Sequence, residues 1–252
     1  MRKLSHGACL TDDDVAALRN LTSTVRRVEA RGDIVMEGTA PRCLTVVLDG
    51  WVCSYRDLEN GKRQITSILL PGDLAEPFGI LPSFADHSLG ALTPVTLAQV
   101  SPAAIRAAAR SSLAVEKALW WDLLVATAIE RERVVSLGRR SASERLGHLV
   151  CELHLRLEMV GLADGLQFDF PLTQAELADV LGLSAVHVNR SLKDLRCRGL
   201  MSLHNRLVTI HALDDLREAS YFDPNYLHTE GPGRFERPAE PGVGDRQLRN
   251  TR

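Results

Sequence analysis

The rhythm of apolar and polar positions changes along this chain. From Val25 to Val100 the apolar residues fall in short β-rich runs, among them VRRVEA, CLTVVL, WVCSYR and RQITSILL, cut by Gly32-Asp33, Pro41, Asp49-Gly50, Asn60-Gly61 and Pro71-Gly72-Asp73. Runs of that kind predict short antiparallel strands in a small barrel or roll, with hairpin turns at Asp49-Gly50 and Asn60-Gly61. From Leu113 to about Leu137 no proline or glycine intervenes and the rhythm becomes helical. Leu113, Trp120, Thr127 and Val134 recur every seven residues, with Leu123, Glu130 and Leu137 as a companion row. The spacing predicts either a seam for a second copy of the chain or a long helix packed on the roll.

Caps mark the remaining helices. Thr11 followed by three aspartates opens a short helix that buries Val15, Leu18 and Leu21, and Ser101-Pro102 opens another. Ser141 and Glu144 form a capping box for a helix through about Met159, whose apolar positions include Leu146, Leu149 and Leu153. After a short strand, LQFDF, the Thr173 and Glu176 box starts a helix ended by Gly182, and Ser184 caps a second one running to about Arg198. Val188, Ser191, Leu192 and Leu195 make the inward stripe of that helix, while Ala185, Val186, Asn189, Arg190 and Lys193 point away from it. An arginine fork, an amide and an ammonium presented on one outward face suit base edges and phosphates.

Two helices joined by a glycine turn are a helix-turn-helix, whose second helix enters the major groove. The stretch GLSAVHVNRSLKDLRCRGLM, followed by a hairpin around His204 and Asn205, resembles the winged helix-turn-helix of the Crp/Fnr family of bacterial transcription regulators. The likeness extends from about Leu10 to Ala219, and RGDIVMEGTAPRCLTVVLDGWVCSY with LLPGDL is similar to the glycine pattern of that family's cyclic-nucleotide-binding-like roll. The resemblance implies an α+β chain. Besides a disordered tail over 220–252, expected from its Pro-, Gly- and Arg-rich composition without apolar periodicity, the resemblance gives a helical leader over 1–22, an antiparallel β-roll of the jelly-roll type over 23–110, a dimerisation helix over 111–139 and a winged helix-turn-helix over 140–219. It also implies a homodimer that binds a palindromic duplex and meets RNA polymerase.

Site residues follow from both readings. Arg190 matches the family's guanine-reading arginine and carries the main expectation. Asn189 suits adenine or a phosphate, Lys193 and Arg206 suit phosphates, and Val186 suits a thymine methyl, with His187, Ser184 and Thr173 beside them. In cyclic-AMP-binding members a Gly-Glu-Leu holds the ribose and an Arg-Ser pair holds the phosphate. Here those positions carry Glu76-Pro77-Phe78 and His87-Ser88, which argues against cyclic AMP bound in the familiar way. His87 touches an unknown ligand or haem, or is an ordinary polar residue.

Composition narrows the classes. A chain of 252 residues with 45% hydrophobic and 25% charged content reads as globular, and a net charge of -2 requires any nucleic-acid footprint to be local. Arg190, Lys193, Arg196 and Arg198 supply one, unless they are a solvated face. No apolar run follows MRKLSHGACL, so a cytoplasmic protein without membrane contact is expected. The five cysteines are scattered, so neither a metal pair nor an iron-sulfur cluster is expected, and no cofactor is. Cys197, between Arg196 and Arg198, reads as a redox-sensitive thiol or as a small packing residue. No hydrolase, zincin or P-loop motif supports an enzyme. A ligand-binding module without DNA-reading activity is the alternative, and it leaves the helix-turn-helix unexplained.

Overall fold

The computed structural model describes residues 1–75 and 84–229. Its first helix, α1 (Asp12–Leu21), starts where the Thr11 side chain accepts from the Asp14 amide while the Asp14 carboxylate accepts from the Thr11 amide. Three aspartates in its first turn complement the positive end of the helix dipole. Before it, residues Leu4–His6 make one 3-10 turn.

Among the described residues, eight strands then build the roll as two antiparallel sheets. One has the order β1 (Val25–Val28), β8 (Val95–Val100), β3 (Leu44–Asp49), β6 (Leu74–Ala75). The other has the order β2 (Asp33–Val35), β7 (Ser88–Ala91), β4 (Val52–Asp57), β5 (Arg63–Leu69). Side chains alternate across a strand, so Val47 and Leu97 fill the space between the sheets with Ile34, Val52 and Leu89. Val46 faces outward, where it meets Val100 and Ile105.

The two predicted hairpin turns fare differently. At Asn60-Gly61 the chain does fold back, with β4 paired to β5 and Gly61 at φ 78°. At Asp49-Gly50 it does not, because β3 and β4 lie in different sheets. The Trp51 backbone amide donates to the Thr93 hydroxyl at 2.9 Å and its carbonyl accepts from the Leu92 amide at 2.9 Å, so the chain leaving Gly50 turns a corner onto the segment before β8. Gly50 is required there: its φ is 81°, and a side chain would run into the Pro94 carbonyl.

Helix α2 (Pro102–Ser111) leads to α3 (Leu113–Arg139), whose 27 residues give a rod of about 40 Å. After the Arg140 corner come α4 (Ala142–Val160), β9 (Gln167–Asp169), α5 (Gln174–Leu181), α6 (Ala185–Cys197), the hairpin β10 (Met201–His204) and β11 (Leu207–Ile210), and α7 (Leu213–Ala219). Strand β11 pairs with both β10 and β9. A single apolar cluster joins Trp51, Ile65 and Ile68 of the roll, Val125 and Ile129 of α3, and Leu149, Phe168 and Leu177 of the C-terminal domain.

The expected tail from 220 onward needs correction. Residues 220–229 fold back over α3 and α4 through a 3-10 turn, Pro224–Leu227. Phe222 and Leu227 are buried, and the Trp121 indole donates to the His228 carbonyl at 3.2 Å. Three anchors, Phe222, Tyr226 and Leu227, were masked in composition by the Pro- and Gly-rich sequence beyond them. The rest of the expected tail, 230–252, lies outside the described residues.

Candidate nucleic-acid interface

The reading unit is set by its caps. Thr173 accepts from the Glu176 amide, Glu176 accepts from the Thr173 amide at 2.7 Å, and the Thr173 hydroxyl donates to the same carboxylate at 2.8 Å. That hydroxyl, expected to face DNA, is therefore occupied in the cap. Gly182 ends α5 at φ 62°, and Ser184 caps α6 by accepting from the His187 amide. The Ser184 hydroxyl also lies 2.9 Å from His187 Nδ1.

Burial along α6 follows the predicted stripe: Val188, Ser191 and Leu195 are buried and Leu192 is half-buried. Val186, His187, Asn189, Arg190, Lys193, Arg196 and Cys197 are exposed, with Val186 at 67%. Asn189 donates to Gln174 Oε1 at 2.9 Å, which fixes the amide against the first turn of α5. Gln174 escaped the sequence reading, since its role depends on two helices meeting. Arg190 and Lys193 make no ion pair among the described residues, whereas Arg198 pairs with Asp194 at 3.7 Å. Cys197 stands exposed at the last turn of α6.

The wing turn sits one residue later than expected. Its central residues are Asn205 and Arg206, at φ 50° and 61°, rather than His204 and Asn205. Left-handed conformations at both positions match the twist of a tight hairpin. Arg206 projects at the tip, and its carbonyl accepts from the Phe170 amide at 2.7 Å, which ties the wing to the segment after β9.

Two arginines at the corner between α3 and α4 are structural. Arg145 donates to the carbonyls of Arg140, Leu181 and Leu137, and Arg140 donates to Ser220 and Tyr221 carbonyls and to Glu132. Five backbone carbonyls at helix ends and chain corners are satisfied this way. Leu137, expected in the seam, is half-buried beside Gly182. Leu113, Trp120, Leu123, Thr127 and Val134 remain exposed along α3.

Of the expected effector residues, Glu76, Pro77 and Phe78 lie outside the described residues. His87 Nδ1 is 2.7 Å from an Asp86 oxygen, and the buried Ser88 hydroxyl accepts from the Glu37 amide at 3.0 Å.

A buried ionic chain was not anticipated at all. Lys3 pairs with Asp73 at 2.6 Å and with Asp122, and Arg156 pairs with Asp73 at 2.7 Å and with Glu152 at 3.2 Å. Tyr226 donates to the other Glu152 oxygen at 3.0 Å. Burial opposes ionisation of Asp73 and Glu152, yet Lys3 and Arg156 around the first and Arg133 and Arg156 around the second hold both carboxyls below their ordinary range. Burial outweighs the single Lys3 partner at Asp122 and raises its carboxyl. Among the described residues no group of three or more His, Cys, Asp or Glu is placed to hold a metal ion, and no helix is long and apolar enough to cross a membrane.

Comparison with known proteins adds to this geometry. Residues 25–112 match the cyclic nucleotide-binding domain family, and residues 144–219 match the Crp-like helix-turn-helix domain family. The chain is 29% identical over 195 residues to the nitrogen fixation regulation protein FixK of Rhizobium meliloti, covering 76% of this chain and 82% of that one. It is 22% identical over 207 residues to the regulatory protein HlyX of Actinobacillus pleuropneumoniae, covering 82% and 86%. Among solved structures, FixK2 from Bradyrhizobium japonicum superposes with a TM-score of 0.66 at 24% identity, over 78% of this chain and 96% of the other.

Proposed function

The chain belongs to the Crp/Fnr family of DNA-binding transcription regulators, and on that premise we propose that it acts as a homodimer reading a two-fold symmetric duplex with α6. The observation that carries this is the division of α6 into a buried stripe and an exposed row of Val186, Asn189, Arg190 and Lys193. Arg190 is the main reader. Its free fork suits the O6 and N7 of guanine, a pair worth about 1–3 kcal/mol of discrimination. Asn189 keeps its carbonyl oxygen for a base-edge donor such as the adenine N6 amine, and one amide hydrogen for an acceptor, since Gln174 engages the other. Val186 offers a thymine methyl an apolar contact, while Lys193 and Arg206 grip phosphates. Two copies paired along the exposed α3 row present two reading helices, as a palindromic site requires.

A signal reaching the roll or the α3 seam would reorient the readers, or abundance alone would set occupancy. Cyclic AMP in the familiar position is disfavoured by the sequence departures at Glu76-Pro77-Phe78 and His87. RNA polymerase is the expected partner on DNA, in the cytoplasm, with no catalytic step assigned to the chain. A ligand module with an idle helix-turn-helix accounts less well for a capped reading helix with exposed polar forks.

Selection from a random duplex library at physiological salt tests the reading. The expected outcome is a symmetric site with half-site centres about one helical turn apart. Arg190→Ala should then bind that site and random duplex with nearly equal affinity, measured by competition. Retained discrimination at a guanine position, or no enriched sequence under any added ligand, would count against the assignment.

A further inference from the structure

Outside the roll, a cavity of about 380 Å³ lies between the outer face of the β1-β8-β3-β6 sheet and helices α1, α2 and α3. Its walls are largely apolar: Leu18, Val46, Val100, Ile105 and Leu119 contribute, and residues 1–4 close one end. Neither His87 nor Ser88 lines it, so it is separate from the position where the family resemblance places an effector. The volume falls within the range of small-molecule sites, which combine apolar walls with a few polar groups that fix orientation.

The charges at this cavity are unequal. Arg2 and Arg19 line it and are both exposed, while the Asp122 carboxylate in its wall is already paired with Lys3. Arg2 uses one nitrogen on the Val160 carbonyl at 3.0 Å, and Arg19 pairs with no carboxylate among the described residues. An apolar chamber with uncompensated guanidinium forks at its rim favours a molecule with an apolar body and one anionic end.

We propose that this cavity is a ligand site for an amphipathic carboxylate, its alkyl or aryl body against Val46, Ile105 and Leu119 and its carboxylate held by Arg19 and Arg2. The site is wired to the reader. Lys3 lines the cavity and pairs with Asp73, which in turn holds Arg156 on α4, so a ligand that shifts residues 1–4 disturbs an ionic chain ending in the DNA-binding domain. This last consequence rests on the DNA-binding reading above; the site itself does not.

Calorimetric titration of the full chain with decanoate and, separately, with 1-decanol tests the proposal. Saturable binding of decanoate, tighter than decanol, is expected. Arg19→Glu, a change at an exposed position, should weaken decanoate about tenfold and leave decanol unchanged. Leu119→Trp, at a half-buried position, should fill the chamber and abolish both. No saturable binding to the unaltered chain, decanol binding as tightly as decanoate, or full binding by folded Leu119→Trp would overturn the site. A second readout follows the affinity for the selected duplex with and without decanoate. A change of threefold or more in the unaltered chain and none in Leu119→Trp supports the coupling; equal affinity with the cavity filled overturns it. A chain that binds decanoate and no duplex at all would refute the DNA-binding reading while leaving the site standing.

Discussion

His148 shows how far a single side chain's chemistry depends on its setting. It is buried in α4, stacked 5.9 Å from Tyr226 and edge-on to Phe222 at 5.1 Å, with Glu132, Glu152, Arg133 and Arg140 around it. Burial is the largest influence, followed by the opposed pulls of those charges, and it pushes the imidazole down to about 4. The folded protein therefore keeps the ring neutral at pH values where the unfolded chain protonates it. Stability from this group is complete above the unfolded value of about 6.5 and is lost as pH falls toward 4, at up to about 1.4 kcal/mol per pH unit. His148→Phe should flatten that part of the profile when urea midpoints are compared between pH 6.5 and 4. Identical profiles for the two proteins would show that the ring is not held neutral. Cys53 and Cys151 follow the same logic: burial pushes each thiol up to about 12, leaving them poor nucleophiles, while Cys9 and Cys197 are exposed.

At the scale of elements, α3 and the wing each carry a prediction. Trp120 is 64% exposed and Val134 70%, on a helix whose other face is buried against the rest of the chain. Apolar side chains at seven-residue spacing along one exposed row are costly to leave in water and suit a second copy. Val134→Glu should leave the fold intact, shift the chain to a monomer in sedimentation, and lower affinity for the symmetric site by about a hundredfold through lost avidity. A dimer that persists would place the interface elsewhere. In the wing, Arg206 sits at φ 61°, a conformation that glycine adopts without cost. Arg206→Gly should keep the hairpin, weaken binding about equally for all sequences, and reduce the salt dependence by about one ion. Sequence-dependent loss would instead make Arg206 a base reader.

For the whole molecule, the decisive feature is that the roll, α3 and the C-terminal domain share a core and an ionic chain. Gln64 of β5 donates to the Asp179 and Val180 carbonyls of α5, and Arg156 of α4 donates to the Ile68 carbonyl and to Asp73 of the roll. Such groups are costly to desolvate singly and depend on one another once buried. Arg156→Met should therefore cost about 3–5 kcal/mol, seen as a lower urea midpoint, because it strands Asp73 and Glu152 without their shared cation. A loss below about 1 kcal/mol would mean that water replaces the guanidinium there.

Helix caps, the two reading helices, the long α3 and the strand runs were all legible in the sequence, because capping boxes and apolar periods are local properties of neighbouring residues. Thr11, Ser101, Ser141, Thr173 and Ser184 each cap the helix they were expected to cap. What only the tertiary structure decided involves partners far apart in the chain. It made Asp49-Gly50 a corner between sheets, turned Arg140 and Arg145 inward to carbonyls, drew residues 220–229 onto α3, and set Gln174 against Asn189. Lys3, Asp73, Asp122 and Arg156 carry no sequence pattern at all, since a buried ion pair is recognisable only once the fold has removed the water around both charges.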